Sequence, residues 1–162
     1  MYYKIVTERS FFTNFCADQN VDVFNIPFGT VFQAPEHSKY KPNNPFCLLG
    51  ENCFHFAEGA FDMMMWHDLR LGWRVKQCVI YEIEPIDEVK KERCKDHEGF
   101  YQCAANKIKV LGKQKIGDMY DLAVAEYAKD PNRYTNIKFD VNDWRKHRST
   151  VFSLLRDYYS RY

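Results

Sequence analysis

The segment RVKQCVIYEIEP, residues 74–85, constrains the fold of this chain more than any other. Apolar and polar side chains alternate along it, as they do in a strand that buries one face. Its regularly placed apolar residues are Val75, Cys78, Ile80 and Ile83. Pro85 has no amide hydrogen to donate to a neighbouring strand, so the strand is predicted to end there. A chain with such a strand has to supply partner strands.

Partner strands are predicted from β-branched and aromatic residues at four other places. They are YYKIVT at 2–7, GTVFQA at 29–34, CFHF at 53–56 and an extended segment over 99–113 that is clearest at KIKVLG. A short helical turn is predicted at 10–16. Residues 20–45 contain five proline and glycine residues in all, which predicts a long irregular loop around the strand at 29–34. Residues 86–99 are predicted to be a charged connecting segment.

Three segments have helical spacing of apolar residues. The first is 57–71, which Gly72 ends. The second begins near Asp118 and ends before Pro131, and the third runs over 140–162. The predicted class is therefore α+β. Residues 1–115 would form a mixed sheet with one central helix, and residues 116–162 a helical extension packed on it within a single domain.

Composition narrows the possible partners. The net charge of +1 gives no global reason to expect a nucleic-acid or membrane surface as partner, and no apolar run approaches the roughly 18 residues that span a bilayer. The opening MYYKIVTERSFF has charges and no small-residue cleavage site, so we expect a cytosolic protein. The closest cysteines, Cys47 and Cys53, are separated by five residues, which predicts free thiols and no metal site.

Two groups in the predicted strands carry chemistry. His55 alternates with Phe54 and Phe56, so it faces away from their side of the sheet, as a loop-holding histidine or as part of a cleft. Glu82 and Glu84 project from one face, where they can do acid–base work, hold a metal or simply face solvent.

The last segment combines basic and aromatic residues. Its candidate contacts to a partner or a nucleic acid are Trp144, Arg145, Lys146, Arg148 and Arg156. Such residues can bind a phosphate backbone and stack on bases. The same segment also has an apolar stripe at helical spacing, which alternatively predicts an amphipathic helix docked on the domain, with its charged face in solvent.

The order of the segments YYKIV, CFHFAEGAFDMMMW, VKQCVIYEIEP and CAANKIKVLGK resembles a family of small phage and bacterial proteins. Its members carry an opening Tyr-Lys strand, a Gly-Phe-His segment and a V-Y-E-V-E strand. Cys53 stands here where the glycine usually is, followed by Phe54 and His55. The resemblance covers about residues 1–115.

The same layout is similar, more distantly, to the ADP-ribosyltransferase fold of the rifampin-modifying type, on VIYEIEP and KVLG. That resemblance implies a split sheet with a cleft for NAD between its halves. Lys4 falls where a histidine would hold the ribose, and His55 where a tyrosine would stack on nicotinamide. With Tyr3 and Phe56 they form the expected cofactor-binding set.

The resemblance implies Lys4, His55 and Gln102 as the catalytic set if the protein is an enzyme. A carboxylate is expected near GFYQCAA, where this chain has Gln102; only Glu98 lies close by. An amide supplies no negative charge to a developing cation.

Three functions follow as expectations. The first is a phage-type protein that binds and inhibits a host defence protein or ribonucleoprotein complex, such as a CRISPR effector. It would use the aromatic-rich loop 26–46 and the basic tail. The alternatives are an active NAD-dependent ADP-ribosyltransferase and a nucleic-acid-binding protein.

Overall fold

The computed structural model describes residues 1–7, 22, 24–34, 53–66, 78–93 and 101–130. Its strands are β1 (Tyr2–Thr7), β2 (Val31–Gln33), β3 (Phe54–Glu58), β4 (Cys78–Pro85), β5 (Lys90–Arg93), β6 (Tyr101–Ala105) and β7 (Lys107–Gln114). Its helices are α1 (Ala60–Trp66) and α2 (Ile116–Lys129). The helical turn predicted at 10–16 and the helix predicted at 140–162 lie outside the described residues.

The described strands form one sheet in the order β2-β7-β4-β1-β3-β6-β5, and each neighbouring pair is antiparallel. The α+β class predicted from sequence is therefore confirmed. β1 pairs with β4 along its whole length, from Tyr2 to Thr7. Its register with β3 covers only Tyr2↔Glu58 and Tyr3↔Ala57. The sheet thus consists of a four-stranded half, β2-β7-β4-β1, and a three-stranded half, β3-β6-β5, joined at the start of β1.

The chain passes between the two halves at Asn106. β6 ends at Ala105 and pairs with β3 and β5, whereas β7 begins at Lys107 and pairs with β4 and β2. The amide of Ala34 donates to the carbonyl of Asn106 over 2.7 Å, which fixes the crossing to the end of β2. The extended segment predicted over 99–113 is confirmed as β-strand, but it is divided at Asn106 into two strands that belong to different halves.

Each face of the sheet is covered by apolar side chains. One face buries residues from six strands, with Ile26 and Ala34 from the segments flanking β2, in a core that includes Val6, Phe32, Phe54, Phe56, Tyr81, Ile83, Cys103, Ala105, Ile108 and Val110. The other face is covered by α1, which contacts β1, β3 and β6, and α2 packs against α1; the buried apolar residues of the two helices are Ala60, Phe61, Met63, Met119, Tyr120 and Ala123. The helical periodicity of the sequence therefore reflects packing on the sheet.

The start of α1 depends on a carboxylate from α2. Glu126 accepts hydrogen bonds from the amides of Ala60, over 3.1 Å, and Phe61, over 2.8 Å. The first amides of a helix have no partner within it, so a carboxylate placed there satisfies them and complements the helix dipole. The rings of Phe61 and Tyr127 stack with their centroids 5.4 Å apart. The two helices are thus joined by polar and apolar contacts at one end.

The helix predicted over 57–71 begins later than its spacing indicates. Ala57 and Glu58 continue β3, and α1 starts at Ala60. Gly59 turns the chain between them with a φ of 90°. A backbone with positive φ is easy only for glycine, so the turn cannot be moved toward Ala57.

The charged connection predicted over 86–99 contains a strand, so that prediction is wrong in part. β5 is the last strand of the three-stranded half within the described residues. Lys91 of β5 pairs with Glu58 and lies 5.0 Å from the ring centroid of Tyr101. Its sequence, KKER, has poor strand propensity but suits an edge, where lysine discourages pairing with another chain.

Gly59→Ala is expected to destabilise the protein more than Gly29→Ala. Both glycines have positive φ, which costs a residue with a β-carbon about 1–2 kcal/mol. A β-carbon at Gly59 would also lie 3.0 Å from Glu126 Oε2, whereas nothing lies within 4 Å of one at Gly29. Displacing Glu126 from α1 adds roughly 1–3 kcal/mol. Urea unfolding of the two variants measures the difference; equal losses would contradict a role for Glu126 in holding α1.

Candidate functional site

The candidate site is the junction at which β1 and β3 separate. Beyond the Tyr3↔Ala57 pair, the ammonium of Lys4 donates a hydrogen bond to the backbone carbonyl of His55 over 2.7 Å. Lys4 is only 7% exposed. A buried ammonium is costly unless its protons are hydrogen-bonded, so this bond is needed to hold Lys4 inside. The two residues at the centre of the candidate site are therefore neighbours.

His55 also contacts a thiol. Its Nε2 lies 3.3 Å from Sγ of Cys53, two positions earlier, where strand alternation places both side chains on one face. Cys53 is buried and His55 is half-buried. Burial raises the pKa of the Cys53 thiol to about 11, although the positive charge of Lys4 acts against this rise. The thiol is therefore protonated at neutral pH, and it can donate to the imidazole.

Gln102 lies one strand away from this junction. β3 and β6 are in register at His55↔Ala104. Gln102 comes two residues before Ala104 on β6, so its side chain is on the same face as His55. Its side chain is buried, and Glu92 of β5 stands opposite it. Lys4 projects from the other face, because it pairs with Tyr81, a residue of the core. The structure thus brings Lys4 and His55 together but not Gln102 with Lys4.

The expected cofactor-binding set is divided in the same way. Tyr3 faces the helices, where burial raises the pKa of its hydroxyl and the carboxylates of Glu82 and Glu126 raise it further. Phe56 belongs to the opposite face and packs edge-on against Tyr2, with centroids 5.3 Å apart. Strand alternation therefore puts Tyr3 and His55 on one face, and Lys4 and Phe56 on the other.

The paired carboxylates of β4 have unequal surroundings. Glu84 is exposed, and Glu82 is half-buried and accepts a hydrogen bond from Gln114 Nε2 over 2.9 Å. Within the described ranges no group of three or more histidine, cysteine, aspartate or glutamate side chains is arranged to hold a metal ion. Glu82 therefore serves a contact between β4 and β7.

Several predicted site residues lie outside the described part of the chain. They are Glu98, Trp144, Arg145, Lys146, Arg148 and Arg156. The nucleic-acid interface that the last five would form therefore stays a prediction. Neither helix in the described ranges is both long and apolar enough to cross a membrane.

Three exposed apolar residues lie at the β2 edge, and two of them belong to the predicted loop 26–46. The turn Pro27–Thr30 is closed by a hydrogen bond from the Thr30 amide to the Pro27 carbonyl, with Gly29 at a φ of 86°. It leaves Phe28 64% exposed. Val31 of β2 and Leu111 of β7 are 46% and 42% exposed. The Gly29 amide donates to the Val110 carbonyl, so the turn lies beside this part of β7. We call Phe28, Val31 and Leu111 the edge patch.

The expectation that the whole loop 26–46 is an exposed aromatic surface is corrected by its described part. Ile26 and Phe32 are buried in the core, and the Ile26 amide donates to the hydroxyl of Tyr81 over 3.2 Å. Leu111 is outward-facing by strand alternation, because Ile108 and Val110 of β7 are buried and Leu111 takes the next alternate position. It also lies at a bulge, since Glu82 pairs with Gly112 and Ile83 with Val110.

Comparison with protein-family models, with curated proteins and with solved structures finds no match to this chain. The grounds for assigning a function are therefore the junction around Lys4 and the edge patch.

Lys4→Met is expected to lower the free energy of unfolding by about 1–3 kcal/mol, because the apolar stem is kept while the partly buried hydrogen bond to the His55 carbonyl is lost. Lys113→Met is the matched control. Lys113 Nζ also donates a hydrogen bond, to Asn25 Oδ1 over 3.2 Å, but at an exposed site, where a change within about 0.5 kcal/mol is expected. Urea denaturation at neutral pH measures the free energy of unfolding of both variants. Equal losses would show that the Lys4 hydrogen bond stabilises the protein no more than the exposed Lys113 bond does.

Proposed function

We propose that this chain is a non-catalytic binding protein on an ADP-ribosyltransferase-like scaffold, which binds and inhibits a host defence protein or ribonucleoprotein complex. The observation that carries the proposal is the edge patch, whose exposed apolar side chains come from β2, from the turn before it and from the neighbouring strand β7. The catalytic alternative is weakened by how the residues around Lys4 are used.

The division of the sheet supports the scaffold. A sheet split into two halves is what the resemblance implies, and here β1 joins the halves through only two residue pairs. Lys4 and His55, the two positions assigned to the dinucleotide, meet at that junction. This contact between two distant segments supports the scaffold that we propose.

The chemistry at the junction argues against catalysis. The ammonium of Lys4 is directed at a backbone carbonyl of its own chain, and as a pure donor it cannot replace a neutral histidine as an acceptor for a ribose hydroxyl. Gln102 is buried and neutral, so it adds no negative charge to stabilise an oxocarbenium-like transition state. These properties of Lys4 and Gln102 support a non-catalytic protein.

The edge patch has the features of a protein-binding surface. β2 is the last strand on its side of the sheet within the described ranges, and an edge strand can add a strand from a partner. Aromatic side chains such as Phe28 are typical anchors at protein interfaces. The hydrogen bonds from the Thr30 amide to the Pro27 carbonyl and from the Gly29 amide to the Val110 carbonyl fix the backbone around Phe28, so little backbone freedom is lost when it is bound.

Expression of the chain in bacteria with an active CRISPR-type defence is expected to raise the plating efficiency of a phage that the defence targets. A Phe28→Asp/Leu111→Asp double variant is expected to lose this effect. Both side chains are exposed, and charged residues introduced into an apolar contact would be desolvated without a partner. Plaque counts on defence-positive and defence-negative strains measure the effect.

Ile86→Asp is the matched control for the double variant. Ile86 is exposed to the same degree as Val31 but follows β4, where its amide donates to the carbonyl of Lys107 at the far end of β7. It should retain full activity. Inhibition that persists in the double variant would contradict the edge patch as the binding surface, and no protection by the native chain would contradict inhibition of that defence.

NAD at saturating concentration is expected to leave the melting temperature unchanged, because Lys4 already donates to the His55 carbonyl. Differential scanning fluorimetry with and without NAD measures this, with His55→Ala in parallel. A rise in melting temperature that His55→Ala removes would contradict the non-catalytic proposal and favour the active ADP-ribosyltransferase.

A further inference from the structure

We infer that the partner of this chain contributes an extended peptide segment in which acidic and apolar residues alternate, and that this segment pairs with the outer edge of β2. The inference rests on the proposed function and specifies what the edge patch recognises. It follows from two observations, the direction of the β2 backbone groups and the charge of β7.

Alternate residues of β2 direct their backbone groups away from β7. The carbonyl of Thr30 and the amide of Ala34 are hydrogen-bonded to β7 and to the residue before it. In an antiparallel ladder such residues alternate with residues whose amide and carbonyl point to the other side. Val31 and Gln33 occupy these alternate positions, and both are exposed. Among the described residues their backbone groups have no hydrogen-bond partner, so a further strand can pair there.

The strand next to this edge is positively charged. β7 contains three lysines and no acidic residue, and residues 24–34 carry no charge. Lys109 is in register with Val31, and Lys107 with Gln33, so each lysine lies on the same face as the β2 residue opposite it. We call Lys107 and Lys109 the edge lysines. Neither forms an ion pair with another residue in the described ranges. Their charges therefore favour an acidic partner.

The acidic residues of the chain that adjoin the edge lysines lie on the side of β7 away from β2. Glu84 is opposite Lys109 on β4, and Asp87, which follows β4, accepts a hydrogen bond from the Lys107 amide. Strands in a sheet lie about 4.8 Å apart, so a strand added to β2 would be roughly 10 Å from β7. An extended lysine and a glutamate together span that distance. Carboxylates on the added strand can thus meet the edge lysines across Val31 and Gln33.

The geometry favours a peptide of opposite charge over two other occupants. Pairing of β2 with β2 of a second copy would bring two sets of edge lysines together, and like charges on neighbouring strands repel. A nucleic acid could contact the lysines and stack on Phe28, but it lacks the alternating amides and carbonyls that complete a β ladder. An acidic strand satisfies both the backbone groups and the charges.

Binding of short fluorescent peptides to the full chain, measured by fluorescence anisotropy, tests the inference. One peptide alternates glutamate with valine, and a second alternates lysine with valine. The third is the glutamate peptide with alternate backbone amides methylated. The glutamate peptide is expected to bind roughly tenfold more tightly than the lysine peptide, because it can form ion pairs with both edge lysines. The methylated peptide keeps the charges but cannot complete the ladder, so it should bind as weakly as the lysine peptide.

Three variants separate the backbone from the charges. Val31→Pro removes one outward amide and keeps an apolar side chain, so it should lose the tight binding of the glutamate peptide. Lys107→Glu/Lys109→Glu should reverse the preference, so that the lysine peptide binds more tightly. This gain of binding tests the inference even if Val31→Pro does not fold. Lys115→Glu/Lys129→Glu makes the same change in net charge at exposed positions at the two ends of α2, and it should keep the native preference.

Several results would overturn the inference. One is equal binding of the glutamate and lysine peptides, and another is full binding of the methylated peptide. A labelled oligouridylate that binds more tightly than the glutamate peptide, and that loses affinity in Lys107→Glu/Lys109→Glu but not in Val31→Pro, would assign the edge lysines to a nucleic acid. A native dimer in sedimentation that Val31→Pro dissociates would place a second copy at the edge.

Plaque counts distinguish a failure of this inference from a failure of the proposed function. Protection that is lost in Phe28→Asp/Leu111→Asp but unchanged in Val31→Pro and in Lys107→Glu/Lys109→Glu would leave inhibition standing and rule out strand addition. Selective binding of the glutamate peptide by a native chain that gives no protection would support the specificity of the edge and contradict inhibition of that defence.

Discussion

The hydrogen bond from Lys4 to the His55 carbonyl is the contact on which the centre of this molecule depends. β1 shares only two residue pairs with β3, so the backbone ladder alone joins the two halves of the sheet over a short distance. The Lys4 side chain extends the connection by one more donor, from inside the protein. Because a buried ammonium needs its acceptor, separating the halves would expose an unsatisfied charge as well as apolar surface. The same bond directs the Lys4 ammonium at the backbone of its own chain.

A second connection acts at the other end of β3. Gly59 turns the chain out of the sheet, α1 begins at once, and Glu126 of α2 closes the start of α1. Sheet and helices are thus connected through a glycine, a helix start and one carboxylate. α1 accordingly packs against β1 and β3, while His55 lies nearer the start of β3, next to Cys53.

The sequence correctly predicted the elements in which one pattern, either strand alternation or helical spacing, holds throughout. YYKIVT is β1 without change, the alternating segment ends at Pro85 as expected, and α2 begins near Asp118. The failures occur where a tertiary constraint overrides propensity. The charged residues of β5 form a strand because β6 offers a partner, and Asn106 gives no clear signal of a change of partner strands.

The candidate site shows the same limit. Alternation correctly separated His55 from its phenylalanine neighbours, but the Cys53 contact needed the geometry of side chains two residues apart, and the Lys4 bond needed the pairing of two distant segments. A pattern along one strand carries no information about which carbonyl a lysine on another strand reaches.

The crossing at Asn106 has a consequence for how the molecule forms. The four-stranded half takes β1, β2, β4 and β7, and the three-stranded half takes β3, β5 and β6. The halves therefore interleave along the chain, and no cut leaves one of them whole. Neither can become an autonomous folding unit, so we expect the two halves to assemble cooperatively, with the slow kinetics of a topology dominated by long-range contacts.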